Sequence, residues 1–217
     1  IRGSIPTNYR RGEKIMKLLI NEFIKDYKKK TTWLYFLLSF GIILLNSYFT
    51  KRQFEDGIDA VKILSGLTVV SVTLATVFSL IMLANNLSQE YSKGTIKFLY
   101  IKPKSRSAIL TAKIVLAFIN YIIFLVVGTV FDFLTKYYVF FDRKVGLNHL
   151  NDTIEEGYFG RTVAKQLIIT NLADLAVFIF FVAMVVLVCV VFKTQILSLV
   201  LVMLSLLGTG LIQALTI

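Results

Sequence analysis

Cysteine, histidine and proline are almost absent from this 217-residue chain, which contains one cysteine, one histidine and two prolines. A single cysteine cannot form an internal disulfide. Cys189 and His149 are too few to supply the tetrahedral ligand set that a zinc site requires. The sequence therefore offers no disulfide framework and no metal site built on these residue types.

Motifs for catalysis and nucleotide binding are also lacking. No G-x-x-x-x-G-K-S/T pattern occurs, so the sequence has no loop to hold the phosphates of ATP and no hydroxyl for magnesium. No Ser-His-Asp set or paired-carboxylate site stands out. Residues 64–66 read LSG, which resembles part of an ATPase signature, but they lie in an apolar run and are interpreted as helix packing. We predict that the chain is not an enzyme and binds no cofactor itself.

Charged residues are scarce, and apolar residues take their place. Charged side chains make up 17% of the chain, whereas about 25% is usual for soluble domains. A helix needs about 20 mostly apolar residues to cross a bilayer. Five stretches are long enough, at residues 32–49, 63–87, 114–131, 167–192 and 195–215. These continuous runs predict an all-α membrane protein, a polytopic helical bundle with five visible spans.

Basic residues are distributed unevenly between the loops. Residues 1–31 carry nine basic and three acidic side chains, and residues 88–113 carry six basic and one acidic. The loops at 51–62 and 132–166 each balance to zero. Because Lys and Arg collect in cytoplasmic loops, the first two segments are predicted to be cytoplasmic and the other two external. This bias explains the net charge of +11 without a nucleic-acid partner.

An amphipathic pattern at residues 16–31 precedes the first span. Its apolar side chains fall on one arc at 100° per residue, and they are Met16, Leu19, Ile20, Phe23, Ile24 and Tyr27. Such a helix is expected to lie in the headgroup layer as an elbow and to turn into the bilayer near Trp33. Periodicity alone equally allows a plain basic anchor. Residues 1–15 are expected to be a tag or an upstream extension.

The segment between the second and third spans combines aromatic residues with basic ones. Gly94 weakens a helix interior and Pro103 prevents its continuation, so a short helix followed by a bend is predicted. Tyr91 and Phe98 share one arc of that helix and are surrounded by charges, a mixture typical of protein interfaces. A basic loop that only sets the membrane topology is the alternative.

The sequence NNLSQEYSKGTIKFLYIKPKSRSAILTAKI resembles the loop after the second span of bacterial ABC-2 type transporter permeases. The matching residues are Glu90, Gly94, Thr95, Pro103, Ser105, Arg106 and Lys113. The resemblance also covers the amphipathic helix and the turn between the fourth and fifth spans, and so extends over nearly the whole chain from Met16. The family normally has six spans, so a sixth is expected beyond Ile217. The long loop at 132–166 departs from the family pattern.

The resemblance implies that the loop is a coupling helix that docks on a separate ATP-binding cassette subunit, which would bind ATP and magnesium. The coupling residues would be Leu87, Glu90, Tyr91, Gly94, Thr95, Phe98, Ile101, Pro103 and Arg106. A second permease copy or a related permease would help to enclose the path. The implied function is export of a peptide or drug-like substrate through the cytoplasmic membrane of a bacterium.

Asp174 is the one ionisable residue inside a predicted span. Such residues usually face a bundle interior or a watery cavity. We therefore consider Asp174 a candidate for the substrate path, with structural pairing to Lys165 or Asn171 as the alternative. Asn85 and Asn86 are expected to cap or solvate the inner end of the second span.

Two other function classes stay open from the residues alone. A stand-alone membrane immunity or sensor protein could bind a peptide without any ATPase, although the interface-like loop at 88–107 argues against it. A channel or ion-coupled transporter has less support, because the spans contain few Gly or Pro breaks and the chain has no internal repeat.

Overall fold

The computed structural model describes residues 7–53, 59–92, 106–141, 145–154, 160–192 and 200, with side chains from residue 16 onward and not at 90–92 or 106–108. The described residues are helical apart from short connections. The elements are α1 (Thr7–Tyr27), α2 (Lys30–Gln53), α3 (Ala60–Ser65), α4 (Val69–Ser92), α5 (Arg106–Val139), a 3-10 helix (Leu147–Asn151) and α6 (Val163–Phe192). The prediction of an all-α chain is confirmed for these residues.

Four helical segments in the described part of the chain are long and apolar enough to cross a membrane: Lys30–Gln53, Ala60–Gln89, Ile109–Val139 and Val163–Phe192. They coincide with four of the five predicted spans. The fifth predicted span, 195–215, lies outside the described residues except for residue 200.

The helices are longer than the apolar runs that predicted them. Helix α5 has 34 residues, which is about 51 Å of helix, against a hydrocarbon core of about 30 Å. Its last turns include Asp132 and Lys136, both buried. Residues 132–139 are therefore helical rather than part of a loop, and Asp174 is not the only charged residue in the long apolar helices.

The second predicted span is interrupted. Helix α3 ends at Ser65 and α4 begins at Val69, with a turn at residues 66–68. Glycine has a low helix propensity, and Gly66 follows the last residue of α3. The ammonium group of Lys136 donates a hydrogen bond to the carbonyl oxygen of Gly66 at 3.1 Å. A side chain of α5 thus donates to a backbone carbonyl group at the end of α3, where the carbonyl groups have no donor within the helix.

The chain divides into two compact units. The first comprises Ile1–Thr32, Ser79–Asn120 and Phe180–Ile217, and the second comprises Trp33–Phe78 and Tyr121–Ile179. Stacked rings hold helices together within the second unit. The centroids of Phe36 and Phe124 are 4.2 Å apart, which joins α2 to α5.

The segment between α5 and α6 packs into a small hydrophobic core of the second unit. This core consists of Ile63, Leu64, Leu67, Phe140, Val145, Ile154 and Val163. The N–H of Ile154 donates to the carbonyl oxygen of Arg161 at 2.9 Å. Gly160, next to Arg161, has φ 65°, which glycine adopts without strain. Phe140, Val145 and Ile154 of the predicted external loop are therefore part of a core.

Apolar side chains cover much of the outward surface of α2 and α6. The most exposed include Trp33, Leu37, Leu45, Phe49, Ile168, Leu172, Phe180 and Val191. Contiguous apolar surface of this extent is unusual for a protein in water. It fits contact with lipid tails, as expected for spans of this length.

Candidate functional site

The predicted coupling residues lie at the edges of the described ranges or outside them. Leu87 is buried, with 3% of its surface exposed. Glu90 and Tyr91 belong to the last turn of α4, and Arg106 is the first residue of α5, with their side chains outside the description. The other five, Gly94, Thr95, Phe98, Ile101 and Pro103, lie outside the described residues. Two long helices therefore lead into and out of the predicted coupling loop.

The ends of those two helices meet α1 in a buried polar cluster. We call it the junction network, and it consists of Glu22, Asp26, Lys29, Asn86 and Lys113. Asp26 is 1% exposed and accepts hydrogen bonds from Lys29 at 2.8 Å and from the Asn86 amide at 2.5 Å. Lys29 also donates to the side-chain oxygen of Asn86 at 2.9 Å. The three side chains form a closed ring in which both carboxylate oxygens of Asp26 are paired.

Lys113 adds a second connection to this network. Its side chain is 1% exposed, and its Nζ lies 3.8 Å from Oε2 of Glu22. The same Nζ donates to the backbone carbonyl oxygen of Asn86 at 2.5 Å. A buried ammonium group is costly unless it is paired, and here the partners come from α1 and α4. Lys113 therefore links α5 to both of these helices.

The corner between α1 and α2 positions Asp26. The Thr32 hydroxyl donates to the Asp26 carbonyl oxygen at 2.6 Å, and the backbone N–H of Lys29 donates to it at 3.2 Å. Burial, together with the nearby Asp26 charge, raises the pKa of Tyr27 to about 12, so its phenol is neutral. The Tyr27 ring stacks on Phe23 with centroids 4.5 Å apart. Backbone and ring contacts together hold the carboxylate toward the interior.

The sequence interpretation missed most of the junction network. It expected Asn86 to cap or solvate a helix end, yet Asn86 is 5% exposed and hydrogen-bonded to α1. It did not single out Asp26, and it treated Lys113 only as part of the loop pattern. A lysine next to a long apolar run was the available signal, because such a lysine must find a partner when the run is buried.

A second polar group lies inside the second unit. We call it the polar track, and it consists of Thr68, Ser71, Tyr121, Asp132, Asn171 and Asp174. Tyr121 is 1% exposed, and its ring stacks on Phe178 of α6 with centroids 4.2 Å apart. Asp174 precedes Phe178 by one helical turn and so shares its face. Asp174 therefore lies on the side of α6 that faces Tyr121.

The geometry does not support the expected pairing of Asp174 with Lys165. Nine residues separate them, which places them on opposite sides of a helix at 100° per residue, and Lys165 is exposed. The amide of Asn171 donates instead to Leu167 at 2.7 Å and to Thr68 at 3.4 Å. Within the described ranges Asp174 has no ion-pair partner, and it is partly buried.

Asp132 and Lys136 form a buried ion pair on α5. Their charged atoms are 3.1 Å apart, and their side chains are 0% and 5% exposed. Removing one partner of such a pair leaves an uncompensated charge. Oδ1 of Asp132 has no hydrogen-bond partner among the described residues. The pair therefore neutralises itself while keeping one acceptor oxygen unused.

A family model described as ABC-2 family transporter protein matches residues 18–208. The chain belongs to that family. The match includes both the junction network and the polar track, and it confirms the resemblance found in the loop at 88–113. Neither a curated protein nor a solved structure matches the chain at a significant level.

The ABC-2 permease is a multi-pass membrane transport protein, and its two polar groups differ in chemistry. The junction network pairs opposite charges from three helices and is suited to holding them together. The polar track leaves acceptor oxygens unpaired and is suited to binding. In the described ranges no three His, Cys, Asp or Glu side chains gather as metal ligands.

Proposed function

We propose that this permease is the membrane subunit of an ABC exporter, driven by a separate ATP-hydrolysing subunit that docks on the loop between α4 and α5. The observation that supports this most directly is the junction network. Its hydrogen bonds join α1 to the two helices that flank the loop. A displacement of the loop would therefore move three helices together rather than bend one.

In this proposal the loop and the amino terminus face the cytoplasm of a bacterium, and α1 lies in the headgroup layer. Met16, Ile20 and Ile24 on α1 are 59%, 48% and 45% exposed, which suits contact with lipid. Lys17 and Lys25 are also exposed and suit anionic headgroups. The elbow assignment rests on this division of the helix surface.

The proposed transport cycle requires partners that supply what this chain lacks. ATP and magnesium would bind to the ATPase subunit, because this chain has no phosphate-binding motif. A second copy of the permease, or a related permease, would complete the path. We propose a peptide or drug-like molecule as the exported substrate, since the polar track offers buried hydrogen-bond acceptors beside aromatic rings.

Affinity purification of the permease from membranes of its own source tests this proposal. We expect a subunit with a G-x-x-x-x-G-K-S/T motif to copurify, and the preparation to hydrolyse ATP. The Tyr91→Ala/Phe98→Ala variant should lose that subunit, because truncating buried aromatic anchors costs about 2 kcal/mol or more, or about 30-fold in affinity. The control is Tyr138→Ala/Phe180→Ala, which removes two aromatic side chains that are 73% and 60% exposed.

Two results would contradict the proposal. If the Tyr91→Ala/Phe98→Ala variant keeps its ATPase subunit and its full ATP hydrolysis, the loop is not the docking site. If no ATP-hydrolysing subunit copurifies with the unmodified permease, the stand-alone immunity or sensor protein becomes the better interpretation.

A further inference from the structure

We propose that the polar track binds the cationic end of the transported molecule, a primary ammonium or guanidinium group that donates hydrogen bonds to Asp174 and to unpaired oxygens nearby. This inference rests on the proposed transport function for its role in the cell. It narrows the proposed peptide or drug-like substrate to molecules that carry a positive charge.

Two contacts fix how α5 lies beside the start of α4 within the second unit. A Cβ atom placed on Gly128 would be 3.3 Å from the Cβ of Ser71. Further along α5, Nζ of Lys136 is 3.1 Å from the carbonyl oxygen of Gly66. As residue numbers rise on α5 they fall on the other segment, so the two run antiparallel.

Asp132 lies midway between those two contacts on α5. Thr68 lies between Gly66 and Ser71 on the other segment, so Asp132 and Thr68 are at similar depths. Thr68 accepts a hydrogen bond from Asn171 of α6 at 3.4 Å. A carboxylate of α5 and an amide of α6 therefore lie at a depth similar to that of the hydroxyl in the turn before α4.

The track contains several acceptor atoms that the described residues do not satisfy. They are Oδ1 of Asp132, Oγ of Ser71, the hydroxyl oxygen of Tyr121 and Oδ1 of Asn171, all buried. Buried polar atoms in native proteins are almost always hydrogen-bonded to protein, water or ligand. The two hydroxyls can donate or accept, but Oδ1 of Asp132 and Oδ1 of Asn171 can only accept, so these two oxygens require a hydrogen-bond donor.

The charges of the track favour a cation as that donor. The charged side chains that the structure places at the track are Asp132, Lys136 and Asp174. Lys136 is engaged by Asp132 and by the carbonyl oxygen of Gly66, so it balances Asp132. Asp174 then leaves the track with a net negative charge. An ammonium or guanidinium group gains both the charge and the hydrogen bonds, whereas an anion would be repelled.

The stacked rings of Tyr121 and Phe178 indicate what else the ligand should carry. Phe178 lies one turn from Asp174 along α6, and Tyr121 of α5 stacks on Phe178. Aromatic faces attract cations as well as apolar groups. A molecule with an aromatic body and an ammonium group on a short alkyl chain therefore matches the track.

Dansylcadaverine has this form, and it fluoresces more strongly in apolar surroundings. Its N-acetyl derivative has nearly the same shape but carries no charge, so the two probes isolate the ammonium group. We would titrate both into the full-length permease purified in detergent and subtract the signal of empty micelles. We expect saturable binding of dansylcadaverine and binding at least tenfold weaker for the acetylated probe, or about 1.4 kcal/mol.

Two variants locate the binding, and a third serves as a control. Asp174→Asn keeps the side-chain shape and should weaken dansylcadaverine binding about tenfold or more, because a hydrogen bond to a charged group is lost. Tyr121→Phe removes only a hydroxyl and should weaken it about fivefold. Asp59→Asn removes the same charge from an exposed position of the same unit and should leave binding unchanged.

Equal affinity for the two probes would overturn the proposal. It would also be overturned if the Asp174→Asn variant bound dansylcadaverine with the same affinity as the wild type. If Asp174→Asn does not elute as folded protein in size exclusion, the probe pair and Tyr121→Phe decide the result. The binding assay needs no ATPase subunit, so a failed search for that subunit leaves it valid. Conversely, if the permease retains its ATPase subunit but binds both probes equally, only the proposal of a cationic substrate is refuted.

Discussion

Exchanging Asp26 and Asn86 offers a direct test of the junction network. The single change Asn86→Asp places a second carboxylate where an amide now donates to Asp26 at 2.5 Å. The single change Asp26→Asn removes the negative charge that Lys29 contacts at 2.8 Å. The double exchange restores one carboxylate, one amide and the bridging Lys29. The double variant should therefore be far more stable than the sum of the two single changes predicts.

The expected loss of stability is large because both side chains are buried: Asp26 is 1% exposed and Asn86 is 5% exposed. Two charges 4 Å apart repel by about 4 kcal/mol at an effective dielectric constant of 20. Lys29 lies between them and offsets part of this, so we expect Asn86→Asp to cost about 3 kcal/mol. Asp26→Asn should cost about 2 kcal/mol, since it weakens hydrogen bonds made to a charged group. The double exchange should lie within about 1 kcal/mol of the wild type.

Thermal unfolding in detergent, followed by size exclusion with fluorescence detection, measures these differences. At about 2–4 °C per kcal/mol for a protein of this size, Asn86→Asp should lower the midpoint by about 6–12 °C. Asn85→Asp is the matched control, because the Asn85 side chain contacts Gln89 of its own helix rather than α1. The reasoning is refuted if Asn86→Asp is no less stable than Asn85→Asp, or if the double exchange is as unstable as the sum of the single changes.

Two further predictions concern the second unit and the topology. Lys136→Met leaves the carboxylate of Asp132 buried without its partner and should cost about 3–5 kcal/mol; Asp132→Asn in the same chain should recover most of this loss of thermal stability, and no recovery would contradict the ion-pair interpretation. In a Cys189→Ser background, a cysteine at Asn148 should react with an impermeant maleimide added to intact cells, whereas one at Lys104 should react only after permeabilisation. Labelling of the cysteine at residue 104 in intact cells would show that the topology is the opposite of the one predicted.

The spans were predictable because the length of an apolar run is a local property. Continuous hydrophobicity over about 20 residues is enough to indicate a membrane helix, and the four described spans lie where it predicted them. The interruption at residues 66–68 was not predictable in the same way. A single glycine such as Gly66 costs a helix only about 1 kcal/mol and need not end it. The donor to its carbonyl oxygen comes from a lysine seventy residues later.

The continuation of α5 through residue 132 was missed for a related reason. Charges usually end an apolar run, so Asp132 was taken as the boundary. Asp132 and Lys136 are four residues apart on α5 and neutralise each other, a spacing at which side chains on a helix meet. That spacing is visible in the sequence, but whether the pair is buried depends on helices that pack against it.

The amino-acid sequence is enough to identify an all-α membrane protein of the ABC-2 family, with no nucleotide-binding motif of its own. Those properties follow from composition, from run length and from a contiguous loop motif, and none of them requires two distant residues to meet. Which polar residues act together depends on how the helices pack. Asp26 and Asn86 are sixty residues apart, as their hydrogen bond spans the chain from α1 to α4. A charge is stable in the interior only when packing brings it a partner, and that partner cannot be identified until the helices are placed.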